Sequence, residues 1–194
     1  MHSETLRQIV HLSGLAFVFV AQFLDRVWSV GMFLSIGAFF FFYAEYVKRT
    51  KPAIGFRHFV FKFENRKGRN FSGAFWFYTG AGLAFVLFPL NVASAAAAIL
   101  SVGDSFSTIV GINWGTHKIV GKKSVEGTVA FFLTSFLATL FFIKPSIGLI
   151  GSFVAAIVEL LTPHKTEGRS RWIVDDNLLI PIISGAVMLF LISI

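Results

Sequence analysis

Val27-Trp28-Ser29-Val30-Gly31-Met32-Phe33-Leu34-Ser35-Ile36-Gly37-Ala38-Phe39-Phe40-Phe41-Phe42-Tyr43-Ala44-Glu45-Tyr46 is an apolar run broken by one charge. It has the roughly 20 residues needed to cross the hydrocarbon of a bilayer. Similar runs occupy 8–24, 71–88, 91–112, 127–143, 146–161 and 177–194, several of them near the lower limit of about 17 residues. Composition agrees, since 55% of the 194 residues are hydrophobic and 14% are charged, against about 25% charged in a soluble domain. Phe supplies 25 residues to 3 Tyr and the mean hydropathy is +0.74, more apolar surface than one buried core of this size absorbs. The expected fold is an all-α integral membrane protein, a polytopic bundle of about seven transmembrane helices. No internal repeat divides the chain, so residues 1–194 form a single membrane domain. The first run is read as a retained helix and not a cleaved signal, because Glu4 stands beside Arg7 and no small-x-small site follows it.

Charge sets the orientation. With seven spans, the N-terminus and loops 48–70, 113–126 and 162–176 lie on one side and hold 15 of the 17 basic residues, leaving Arg26 and Lys144 opposite. The positive-inside rule therefore makes that side, with the N-terminus, cytoplasmic. The net charge of +7 reads as topology and attraction to an anionic lipid surface, not as nucleic-acid binding. In loop 48–70, Phe56, Phe59, Val60 and Phe63 fall on one helical face with Arg57, His58 and Lys62 on the other, the pattern of a helix lying in the interface. The opposite loops, 88–91 and 144–146, are too short to build a site, so chemistry belongs to the cytoplasmic face. The absence of cysteine excludes disulfides, zinc thiolates and thiol catalysis.

Polar residues interrupt the fourth run at Gly103-Asp104-Ser105-Phe106-Ser107-Thr108. An Asp at the bilayer centre costs about 2.5–3.5 kcal/mol on insertion scales, and such a residue is functional by default. Ser107 and Thr108 share its helix face; the alternative is a carboxylate bonded to those hydroxyls for packing. Gly111, Gly115, Gly121 and Gly127 then alternate with Lys118, Lys122 and Lys123, ahead of Ser124-Val125-Glu126-Gly127-Thr128 at the start of the fifth run. Glycines that admit close backbone approach, lysine charges and a helix N-terminus suit phosphate. A plain turn with topogenic lysines fits equally, and the Gly-x4-Gly-Lys-Ser/Thr order of a P-loop is absent.

Asp175-Asp176-Asn177 precedes the last run. Adjacent oxygen ligands at an interface suit Mg²⁺, which keeps waters and accepts substrate phosphates; an N-cap with an acidic first turn is the other reading. Glu159, at the end of the sixth run, falls on the same side as these acids. Arg7 and His11 share a face of the first helix, where His11 reads as a structural histidine or a base. Gly-x-Ser-x-Gly, His-Glu-x-x-His and dinucleotide fingerprints are absent.

In order, Asp104-x-x-Ser107-Thr108-x-x-Gly111-x-x-x-Gly115, Lys123-Ser124-x-Glu126-Gly127-Thr128, Glu159 and Asp175-Asp176-Asn177-x-x-x-Pro181 resemble the signature of the CTP-dependent polyprenol kinases. That membrane family contains dolichol kinase, phytol kinase and the CTP-dependent diacylglycerol kinase. Glu4-x-x-Arg7-x-x-x-His11 is similar to the Glu-x-x-Arg-Lys-x-x-His opening of the phytol and diacylglycerol branches, with Gln8 where Lys is usual. The resemblance implies transfer of a phosphoryl group from CTP to a lipid alcohol, with Mg²⁺. It assigns Asp175, Asp176 and Asn177, with Glu126, to the metal, and Lys118, Lys122, Ser124, Thr128 and the four glycines to the phosphates. Asp104, Lys123, Glu126 and Asp176 are implied as catalytic, with Arg7, His11, Ser107, Thr108 and Glu159 in support.

Two other readings compete. A CTP-dependent lipid-phosphate cytidylyltransferase would use similar motifs at the α-phosphate. A small transporter would line its path with Asp104 and Glu159, but the acids gather at one face and do not recur across the membrane depth. The acceptor lipid, the donor base and the oligomeric state are not legible.

Overall fold

The computed structural model describes residues 2–50, 55, 73–162 and 175–194. The stretch Phe56 to Phe63 and most of the loops 48–70 and 162–176 lie outside the described residues. The fold is all-α apart from one short hairpin. Helices α1 (His2–Ala21), α2 (Arg26–Thr50) and α3 (Gly73–Leu87) are followed by α4 (Leu90–Ala98), a π-helical turn (Ile99–Gly103) and α5 (Asp104–Asn113). Strands β1 (Lys118–Val120) and β2 (Lys123–Ser124) then precede α6 (Val125–Thr139), α7 (Pro145–Leu161) and α8 (Asp176–Ser193). The α4, π and α5 segments are one continuous helix, so the described residues hold seven helices, each overlapping one of the apolar runs.

Three of them are long and apolar enough to cross a membrane, Arg26–Val47, Leu90–Asn113 and Asp176–Ser193, while four apolar segments are shorter. The breaks follow from local chemistry. Pro89 and Pro145 have no N–H to continue a helix and sit at the starts of α4 and α7. At the turn between α1 and α2, Arg26 donates to the carbonyls of Phe85, at 3.0 Å, and Val86. One of the two basic residues on the charge-poor side thus closes the C-terminus of α3.

The span Leu90–Asn113 is 61% buried, against 22% and 33% for the other two long spans, so it is the central helix. Buried Ala93, Ala95, Ala96, Ala97 and Ala98 line it, and small side chains let neighbouring backbones come close. Phe33 stacks on Phe85 at 4.9 Å and Phe40 on Tyr78 at 5.6 Å, joining α2 to α3. Phe23, Phe39, Phe42, Phe141, Phe153 and Phe190 are exposed on the outside, an apolar surface suited to lipid.

Candidate active site

The π turn in the central helix ends at Gly103, and Asp104 opens the α-helix after it. A π turn adds a residue to one turn and so rotates everything beyond it. Hydroxyls on this segment reach α1: Ser101 donates to the His11 carbonyl at 2.6 Å and Ser105 to the Gln8 carbonyl at 3.2 Å. His11 is thereby held with its ring 4.7 Å from that of Phe77 and its Nδ1 3.2 Å from Asp104 Oδ2. Among the described residues neither buried ring nitrogen has an aligned hydrogen-bond partner. The Arg7 side chain lies outside the described residues.

Lys123 does not face solvent. It is buried on β2, and its ammonium pairs with Glu159 Oε1 at 3.0 Å and also donates to the Glu159 carbonyl at the end of α7. Ser107 donates to the same Oε1 at 3.5 Å, while Glu159 Oε2 is buried with no hydrogen-bond partner among the described residues. Asp104 is within electrostatic range of Glu159. The α5, α6 and α7 ends thus meet at one charged cluster. A buried pair of this kind is costly to break, because removal of one partner strands the other charge.

The N-terminus of α8 completes the cluster. Asp175 caps the helix, its Oδ1 accepting from Asn177 N at 3.1 Å and Asn177 Nδ2 at 2.9 Å. Asp176, half-buried, is within electrostatic range of Asp104, Asp175 and Lys123. Pro181 has no N–H to offer the Asn177 carbonyl four residues before it, and Gly80 of α3 packs directly on that carbonyl, where a Cβ would overlap it. Helices α3 and α8 run parallel, since Gly185 meets the Phe88 ring further along both. Residues 73–79 of α3 therefore extend past the start of α8 by about 10 Å, at 1.5 Å per residue. The acids at the start of α8 thus lie beside the flank of α3.

The glycine and lysine segment is arranged differently from its reading as a phosphate cradle. Gly121 has φ 59° and turns the hairpin. Gly115 packs against the Gly111 carbonyl and Ser124, and Gly127 stands where a Cβ would lie 3.0 Å from the Ser107 carbonyl; both are spent on packing. Ser124 caps α6 by accepting from Gly127 N at 3.2 Å, and Thr128 donates to the Ser124 carbonyl at 3.1 Å. Lys118 and Lys122 remain exposed. Glu126, read as a metal ligand, is committed to its own loop: Thr116 donates to it at 2.6 Å, the His117 amide at 3.2 Å, and His117 Nδ1 lies 2.7 Å away. The Thr116 hydroxyl, then the His117 ring, hold this carboxyl, just ahead of the 127–143 run, well below its ordinary range.

Among the described residues no three of His, Asp and Glu are placed to hold a metal ion. The remaining donors are nonetheless hard oxygens on Asp175 and Asp176, and Mg²⁺ bound through substrate phosphates needs only one or two carboxylates. The residues present fit such a metal, without Glu126. Five predicted residues, Asp104, Lys123, Glu159, Asp176 and Ser107, converge, with His11 at their edge. Gly80 and Ser101 escaped the sequence reading, because nothing local marks a glycine or serine that meets another helix.

The bundle defines a class: an all-α protein with three helices long and apolar enough to cross a membrane and a buried Lys-Glu pair beside a cluster of acids. No family model and no solved structure matches the chain. Among curated relatives, phytol kinase from Synechocystis sp. is 28% identical over 193 residues, covering 95% of this chain and 78% of the relative. Dolichol kinase from Saccharomyces cerevisiae is 33% identical over 85 residues, 42% of this chain and 16% of the relative. CTP-dependent diacylglycerol kinase 1 from Schizosaccharomyces pombe is 28% identical over 136 residues, 60% of this chain and 59% of the relative. Relatives named phytol kinase, dolichol kinase and CTP-dependent diacylglycerol kinase, at 28–33% identity, support the polyprenol and lipid kinase family for this chain.

Proposed function

We propose that the protein transfers the γ-phosphoryl group of CTP to the hydroxyl of a membrane lipid alcohol, a polyisoprenoid alcohol or diacylglycerol, at the cytoplasmic face. The observation that carries this reading is the convergence of Asp104, Asp176, Glu159 and Lys123 in one charged cluster within an apolar bundle. Phosphoryl transfer asks for positioning and charge neutralisation more than covalent chemistry. A cluster of acids and one locked lysine, among helices that meet lipid, brings a membrane hydroxyl and a soluble polyphosphate together. The concentration of basic residues on this side supports a cytoplasmic N-terminus and active face.

Asp104 takes the proton of the acceptor hydroxyl. Asp175 and Asp176 would hold Mg²⁺, which when bound would neutralise the phosphate oxygens. Asn177 fixes Asp175 in its capping position. Lys123, held by Glu159, adds positive charge to the cluster, and exposed Lys118 and Lys122 attract the incoming triphosphate. Purified protein in detergent, with Mg²⁺, polyprenols, diacylglycerol and CTP labelled at the γ- or the α-phosphate, tests the proposal. It requires γ-label on lipid. Label from the α-phosphate, with phosphatidic acid supplied, would establish a cytidylyltransferase instead, and label from neither would return transport to first place.

A further inference from the structure

The two strands of the hairpin differ. On β2, Lys123 and Ser124 are buried, Lys123 paired with Glu159 and Ser124 capping α6. On β1, Lys118, Ile119 and Val120 are all exposed, the two apolar side chains at 46% and 47%. Successive side chains of a strand point to opposite faces, so a strand resting on the bundle would hide one of that pair. β1 therefore stands clear on both faces, with its apolar pair between Lys118 and, past the Gly121 turn, exposed Lys122.

The surroundings identify what covers it. The Val125 amide donates to the His117 carbonyl at 2.9 Å, which ties the foot of β1 to the start of α6. There Val125, Val129, Leu133 and Leu137 are exposed at every fourth residue, an apolar stripe along one side of the helix that suits lipid. Trp114, 64% exposed, follows the last residue of the central span Leu90–Asn113, and Trp is enriched where spans leave the hydrocarbon. Charge agrees. Residues 112–123 hold three lysines and no acid, and the next acid in the chain, Glu126, is engaged by Thr116 and the His117 amide.

We propose that the tip of this hairpin is a membrane anchor: Ile119 and Val120 enter the interface of an anionic bilayer, and Lys118 and Lys122 meet the phosphates of its headgroups. Two aliphatic side chains hold a surface weakly by themselves, and attraction of nearby lysines to anionic lipid supplies the second element that stable attachment needs. The inference goes beyond the kinase reading and does not depend on it; it requires only that the long apolar helices cross the bilayer. The same two charges that attract a triphosphate thus keep the hairpin at the surface from which a lipid substrate arrives.

The chain has no cysteine, so Ile119→Cys and Val120→Cys each take a single nitroxide label in the full-length protein, and Phe39→Cys, on the exposed side of α2, gives a lipid-facing reference. Each is reconstituted in vesicles of phosphatidylcholine with or without phosphatidylglycerol, and relaxation by oxygen is compared with relaxation by a water-soluble nickel chelate. With phosphatidylglycerol present, oxygen dominates at 119 and 120 as it does at 39. That preference is lost at 119 and 120, and kept at 39, when phosphatidylglycerol is omitted or when Lys118→Gln and Lys122→Gln are added. Labels at both hairpin positions that favour the chelate in either vesicle overturn the anchor. So do labels that are immobilised only when CTP or inorganic triphosphate is added, which would give the hairpin to the nucleotide, and line broadening that grows with protein per vesicle, which would give it to a second copy. A label at 39 open to the chelate would overturn the spans and the anchor together.

Discussion

In the charged cluster, Asp104, His11, Lys123 and Glu159 are buried and reach one another from four different elements. Along 115–128, a few residues away, Lys118 and Lys122 face solvent while Ser124, Glu126 and Thr128 bond within their own hairpin and helix. Both segments have the composition of a ligand site. The difference lies in where each polar group finds its partner. In low dielectric a charge must be met by another element, so function and stability are coupled. At the surface, water and the local backbone suffice, and each residue can be altered by itself.

The sharpest break in this contrast is Asp104→Asn, which lowers γ-phosphoryl transfer by about 100-fold to 10,000-fold, the range of a general base. Label transfer at saturating CTP measures it, and near-full turnover would remove the base assignment. Next comes the buried pair. Lys123→Met destabilises the protein by about 3–5 kcal/mol by stranding Glu159, and adding Glu159→Leu recovers much of that. Denaturation in detergent reads both; equal losses in single and double variants would deny the coupling. Gly80→Ala follows, costing about 1–3 kcal/mol as the new methyl meets the Asn177 carbonyl. It displaces Asp176 as well, so activity falls while CTP-independent properties of the hairpin stay constant.

On the other side, Lys118→Gln with Lys122→Gln raises KM for CTP by less than about tenfold, leaves kcat and melting unchanged, and acts less at high salt, because exposed charges are screened. The smallest effect concerns Glu126. Its carboxyl is held below its ordinary value of 4.5, so its bonds to Thr116 and His117 are intact above that pH and are lost as pH falls through the lowered value. Hydrogen exchange at the His117 amide accelerates only under acid, whereas Glu126→Gln raises it at neutral pH.

Legibility in the sequence divides along the same line. Asp104 and Glu159 stood out because an acid in an apolar run is conspicuous wherever it points, and Asp175 read equally as ligand and cap. It is a cap in the structure, with Asp176 beside it within electrostatic range of Asp104. Gly115, Gly121, Gly127 and Ser124 have packing, turn and capping roles in the structure, and the sequence does not separate these from a phosphate cradle, since hairpin turns, helix packing and phosphate cradles all call for the same residues.

The chain by itself determined seven helical segments, their breaks at Pro89 and Pro145, and the gathering of basic residues at one side of the expected topology. Each follows from run length, missing donors or charge, properties that a segment has without its neighbours. Tertiary structure decided which polar groups meet. The π turn before Asp104 aims it at His11, Lys123 turns inward to Glu159, and Gly80 against Asn177 sets the start of α8 against α3. Those contacts join residues far apart in sequence and depend on the rotation and depth of each helix, which packing alone sets.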